Sequence, residues 1–215
     1  MSTFNETGII VIKLKKHLIH QTLQERNRKH MQSDLKYSKK NTRQTYRLNI
    51  TRNWDGSTAS PSDMSEIVFS LKADEIVINV EAPFYDDPPP SIPAGEKDGL
   101  WNFEVVELFL LCKSGRYMEI EIGPYGHSLI LALRSVRRVS DRRTALHCTT
   151  RINGNRWQGV LTLSPEAELL PFTHANAYAI HGQEPNRRYL AASPVPGERP
   201  DFHQPARFIA LKDLQ

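Results

Sequence analysis

Between residues 103 and 163 the chain is a succession of short strand-like runs joined by compact turns, and few folds accept that grammar. The runs are 103–112, 116–123, 127–134, about 144–152 and 156–163. Lys113-Ser114-Gly115 and Pro124-Tyr125-Gly126 read as tight turns, and Asn153-Gly154 is a type I′ hairpin signal. Upstream, 47–53, 66–72 and 75–82 alternate or run apolar, with Trp54-Asp55-Gly56 as a turn and Ala73-Asp74 as a hairpin tip. Downstream, 175–182, 187–192 and 206–212 continue the pattern. Ser164-Pro165-Glu166-Ala167-Glu168 has an N-cap serine, an early proline and early acids, which predicts one short helix. Many short strands with one helix predict an all-β chain, an antiparallel β-sandwich of jelly-roll or immunoglobulin-like type.

Charge divides the chain in two. The first 47 residues hold 11 Lys and Arg against 3 Asp and Glu, a balance of +8. The rest holds 17 against 21, a balance of −4. Residues 1–45 therefore read as a basic N-terminal extension, helical or disordered, and 46–215 as the folded domain. A polybasic arm could meet an anionic surface, but the mildly acidic domain gives no reason to expect nucleic acid as its ligand. No run approaches the roughly 18 apolar residues of a bilayer span. Lys13, Lys15 and Lys16 follow the short apolar run 8–12 where a secretory signal wants small residues. A cytoplasmic protein with no membrane association is the expectation. Cys112 and Cys148 then read as reduced, buried thiols.

The functional signal lies where a long loop meets a strand. Residues 83–100 contain Pro83, Pro88, Pro89, Pro90 and Pro93 and cannot be regular structure. The loop ends at Leu100-Trp101, and an apolar strand begins at once. By strand parity Glu107 shares a face with Phe103, Val105, Phe109 and Leu111. A buried carboxylate costs several kcal/mol unless it is paired, so Glu107 either meets a fixed donor or sits at a ligand site. An aromatic ring beside a carboxylate suits a sugar: the ring covers a pyranose C–H face and the carboxylate accepts hydroxyl protons. Glu104 falls on the opposite face with Val106, Leu108 and Leu110, so Glu104 and Glu107 cannot flank one scissile bond as a glycosidase pair. Glu119 and Glu121 alternate with Met118, Ile120 and Ile122 and read as a solvated face. Asp86, Asp87, Glu96 and Asp98 crowd the loop, and calcium is the ion they could hold. His127, His181 and His203 match no compact zinc spacing, so no metal site is assigned.

Several motifs occur in order: 82–90 (APFYDDPPP), Leu100-Trp101 with Glu104-Val105-Val106-Glu107, Tyr117-Met118-Glu119-Ile120-Glu121 with Gly123-Pro124, Ala179-Ile180-His181-Gly182, and Pro200-Asp201-Phe202-His203. Together they closely resemble a small uncharacterised family of animal and bacterial proteins. That family is itself similar to the family 9 carbohydrate-binding modules, a branch of the DOMON-like sandwiches. The resemblance covers about residues 46–212. It implies a jelly-roll-like sandwich that binds sugars without catalysis. It also implies ligand contact by Trp101 and Glu107, which occupy the positions of the module's loop-end Trp and the Glu six residues later. The chain departs from the modules at two points. Met118 and Glu119 stand where an Arg is expected, and no Trp follows Trp157, so that Phe202 is the residue left to act as second aromatic. The expected ligand-binding set is Trp101, Glu104, Glu107, His181, Arg188 and Phe202. The alternative is a protein-interaction module that keeps the fold without a sugar site, and a glycan-acting hydrolase ranks third.

Overall fold

The computed structural model describes residues 43–72, 74–165 and 169–214. The basic extension and most of the expected helix at 164–168 lie outside the described residues. The strands are β1 (Gln44–Ile50), β2 (Arg52–Asn53), β3 (Ser65–Leu71), β4 (Ile76–Pro83), β5 (Gly95–Glu96), β6 (Val105–Cys112) and β7 (Tyr117–Ile122). They continue as β8 (His127–Ser135), β9 (Arg138–Arg143), β10 (His147–Asn153), β11 (Arg156–Leu163), β12 (Phe172–His181), β13 (Arg188–Ala191) and β14 (Ile209–Ala210). They form two sheets. The smaller runs β1-β3-β4-β11-β10, and the larger runs β2-β13-β12-β6-β7-β8-β5, with β9 beside β8 and β14 beside β12. Every pairing is antiparallel except the two-residue β5 against β8. Among the described residues no helix is long and apolar enough to cross a membrane.

The two faces of the large sheet carry two apolar layers, because both side-chain parities of its central strands are buried. One parity of β6 to β8 (Val106, Leu108, Leu110, Ile120, Ile122, Ile130) packs against Leu48, Ile67, Phe69, Ile78, Trp157 and Leu161 of the small sheet. Each such side chain contributes about 1.5–3 kcal/mol on burial, so this layer supplies the main drive to fold. The other parity (Val105, Phe109, Tyr117, Leu129, Leu131, Tyr178, Ile180) faces away from the small sheet. Leu100, Val195, Phe202 and Phe208 from irregular segments cover it.

Four expectations change. The strand expected at 206–212 reduces to the two-residue β14 between two 3-10 turns. The strand expected at 47–53 breaks at Thr51, with β1 in the small sheet and β2 in the large one, because the chain crosses between the layers there. β9 is an edge strand with five of its six residues exposed; lacking an apolar parity, it left no alternation to read. Above all, Glu119 and Glu121 do not form a solvated face. They are 5% and 0% exposed, because loops remote in sequence cover that side of β7.

Candidate functional site

A cleft of about 370 Å³ opens on the outer face of the large sheet. Its floor is Glu107 and Phe109 of β6, Glu119 of β7 and Leu131 of β8; its walls include Trp101, Arg137, Arg187, Tyr189, Phe202 and His203. The register explains the floor. Glu107 pairs with Glu121 and Phe109 with Glu119 across β6 and β7, so all three glutamates project to the same side. One carboxylate oxygen from each of Glu107, Glu119 and Glu121 lies within 4.8 Å of the others.

Loops build the walls. A short 3-10 turn, Leu100–Asn102, anchors Leu100 in the outer layer and leaves Trp101 42% exposed at the rim. Gly99 starts that turn at φ 70°, a left-handed conformation that a side chain there would strain. Arg187 donates to the carbonyls of Trp101 (2.8 Å), Gly182 (2.8 Å) and Phe103 (3.3 Å), tying the turn to the segment before β13. On the other wall, Arg137 sits in the β8–β9 turn at φ 57° and donates to Asp201 Oδ1 at 2.7 Å. Tyr117 Oη accepts the Arg137 backbone N–H (3.2 Å) and meets His203 Nδ1 at 2.8 Å. Phe202 stacks on Tyr178 with centroids 3.8 Å apart, so one face of its ring is already taken.

Burial dominates the electrostatics. It pushes the Glu107 carboxyl well above the usual range; the Glu119 charge adds to this and Arg187 opposes it. Glu119 rises to about 7, mainly by burial, with Arg137 and the Glu121 carboxyl opposing. Glu121 rises well above the usual range by burial, then by the charges of Glu107, Glu119 and Asp98. The Trp101 backbone amide opposes that rise from nearby, but neither Glu121 oxygen has a hydrogen bond of ordinary geometry. His203 is lowered to about 4 by burial and then by Arg137, so it is neutral at pH 7.

Of the six residues expected at the site, Trp101, Glu107 and Phe202 line the cleft and Glu104, His181 and Arg188 do not. Glu104 accepts the backbone N–H groups of Tyr85 and Asp87 and so fastens the proline-rich loop. His181 stacks on Tyr85 at 3.5 Å, on the side of the sheet that faces Ala82 and Trp157. Arg188 shares its parity with Leu190, which belongs to the inter-sheet layer. The loop acids have separate partners. Asp86 accepts from Tyr125 Oη, Asp87 from the Gly182 N–H, and Asp98 from Arg142.

Sequence reasoning missed Arg187, Arg137 and the Glu119–Glu121 pair. Arg187 carries a readable signal, because it has the parity of Tyr189 and Ala191, which pack on the outer face. Arg137 carries none, since its position depends on an edge hairpin without apolar alternation.

These features define a two-sheet β-sandwich with a ligand-sized cleft on the outer face of its larger sheet. A protein from Bacteroides uniformis, described as a candidate carbohydrate-binding protein, has the same fold. It superposes with a TM-score of 0.56 at 19% identity, over 78% of this chain and 84% of its own. A family 9 carbohydrate-binding module from Caldicellulosiruptor kristjanssonii, solved with cellotriose, reaches a TM-score of only 0.39 at 7% identity over 71% of this chain and 72% of its own, too loose to bear on the site. No family model matches the chain. Its sequence relatives are specific: the chain belongs to the UPF0462 family. It is 35% identical over 164 residues to the UPF0462 protein C4orf33 homolog of Danio rerio, spanning 72% of this chain and 83% of that protein. It is 33% identical over 168 residues to the human UPF0462 protein C4orf33, spanning 72% and 81%.

Proposed function

We propose that the cleft binds a carbohydrate and that the protein is a non-catalytic recognition module. The observation that carries this reading is Trp101, an exposed ring fixed at the rim beside buried carboxyls and two arginines. The ring offers an apolar platform, and Glu107, Glu119, Arg137 and Arg187 offer acceptors and donors for hydroxyl groups. The volume lies within the range of small-ligand pockets. The description of the Bacteroides uniformis neighbour supports the ligand class.

The test is a glycan-array screen of the full chain followed by titration of the hits, with Trp101→Ala alongside. Losing a platform ring of this kind weakens binding by about 1–3 kcal/mol, roughly fivefold to 150-fold. A folded chain that binds no glycan would overturn the reading. A second reading has its own observation: Val136 and Val139 are 49% and 47% exposed beside the cleft, an apolar rim suited to a protein segment. A partner captured by the chain, lost on Trp101→Ala and indifferent to sugars, would favour it.

A further inference from the structure

We propose that Glu107, Glu119 and Glu121 form a binding site for one hard divalent cation of the calcium class at the floor of the cleft. The three carboxylate oxygens lie within 4.8 Å of one another. Calcium–oxygen bonds are about 2.3–2.6 Å, so oxygens around one such ion stand at most about 4.6–5.2 Å apart. The spacing is therefore that of a single coordination sphere. Three of the four loop acids, Asp86, Asp87 and Asp98, bond elsewhere as described above, and Glu96 is exposed.

Mutual closeness of acids would mean little alone, and a second observation points to a ligand. Glu121 is fully buried, and among the described residues neither of its carboxylate oxygens has a hydrogen bond of ordinary geometry, the Trp101 amide and the Glu119 carboxyl lying only nearby. Buried carboxylates are otherwise paired or metal-bound, because removing them from water uncompensated is costly. One of these oxygens stands within 4.8 Å of an oxygen of Glu107 and one of Glu119. Burial raises all three carboxyls, so an ion entering the site displaces protons from them. An all-carboxylate donor set selects calcium or manganese over softer ions. His203, whose Nε2 stands 3.8 Å from Glu119 Oε2, borders the set with its other ring nitrogen engaged by Tyr117. Glu107 and Glu119 line the cleft, which gives the ion an entry route. The site shares Glu107 and Glu119 with the sugar reading, and a titration with no sugar present separates the failure of one from the failure of the other.

The experiment is calorimetric titration of the chelator-treated full chain with calcium chloride, then with magnesium and zinc, alongside thermal melts. The expected result is one calcium per chain and a melting-temperature rise of about 5–10 °C at a hundredfold excess over Kd. Glu121→Gln and Glu107→Gln should each lose at least tenfold in calcium affinity and most of that rise. Glu96→Gln, in an exposed part of the loop, should keep both. Both cluster variants are isosteric with the buried carboxyls they replace, so the metal-free variants should melt no lower than the metal-free parent. A parent that binds no calcium, cluster variants that keep the full rise, or zinc bound in preference to calcium would each overturn the assignment.

Discussion

Glu104 shows how one buried carboxyl couples loop geometry to pH. It holds the backbone amides of Tyr85 and Asp87, which favours its charged form, yet burial outweighs them and raises it to about 7. The unfolded chain returns it to the ordinary value near 4.5. Between those values the folded protein binds the extra proton, so folding is favoured at the acidic end of the window. The contribution fades as pH rises from about 4.5 to about 7. Glu104→Gln keeps an acceptor for the two amides and removes the titration. Its melting temperature should therefore fall less than the parent's over that window, as thermal melts in matched buffers would show. Parallel curves for the two proteins would mean that Glu104 titrates normally in the fold. Trp101 and Glu107 were legible because parity and a loop-end position constrain them directly. Glu119 and Glu121 were not, because alternation looks the same whether a strand face meets water or loops folded back from distant sequence.

At the scale of elements, β11 was legible to the residue, since an Asn-Gly turn opens it and alternation runs its whole length. Its position between β4 and β10 was not legible, because partner choice depends on the long-range register. Within β11 the close packing has a point of least tolerance. A Cβ at Gly159 would stand 2.9 Å from Trp157 Cζ3 and 3.3 Å from Ile122 Cγ2. Trp157 is almost wholly buried between the sheets, where close packing resists displacement of its ring. Gly159→Ala should thus cost about 1–3 kcal/mol by overpacking, despite the higher intrinsic strand preference of alanine. A chemical-denaturation midpoint would register it. An unchanged midpoint would show that the indole can shift and that the layer is looser than its packing implies.

The whole molecule is asymmetric. One face of the large sheet meets another sheet, and the other is closed by irregular segments around Leu100, Val195, Phe202 and Phe208. The inner layer joins side chains of two sheets whose strands are each fixed by continuous backbone ladders, whereas the outer closure rests on irregular segments held by side chains and a few polar ties such as Arg137–Asp201 and Tyr117–His203. The exposed ion pair among those ties contributes little by itself, about 0–1 kcal/mol. Local opening should then follow the outer layer while the inner one stays closed. Phe208 is the residue that tests this, since its ring packs edge-on against both Phe109 and Tyr117. Phe208→Ala should cost about 3–5 kcal/mol where the outer layer closes. It should accelerate amide exchange through 200–208 while leaving Leu108, Leu110 and their β12 partners nearly as protected as before. Ligand or cation binding in the cleft should weaken in the same variant, because His203 and Asp201 ride on that segment. Exchange that quickens evenly across both sheets would instead make the two layers one cooperative unit, with the cleft as rigid as the core beneath it.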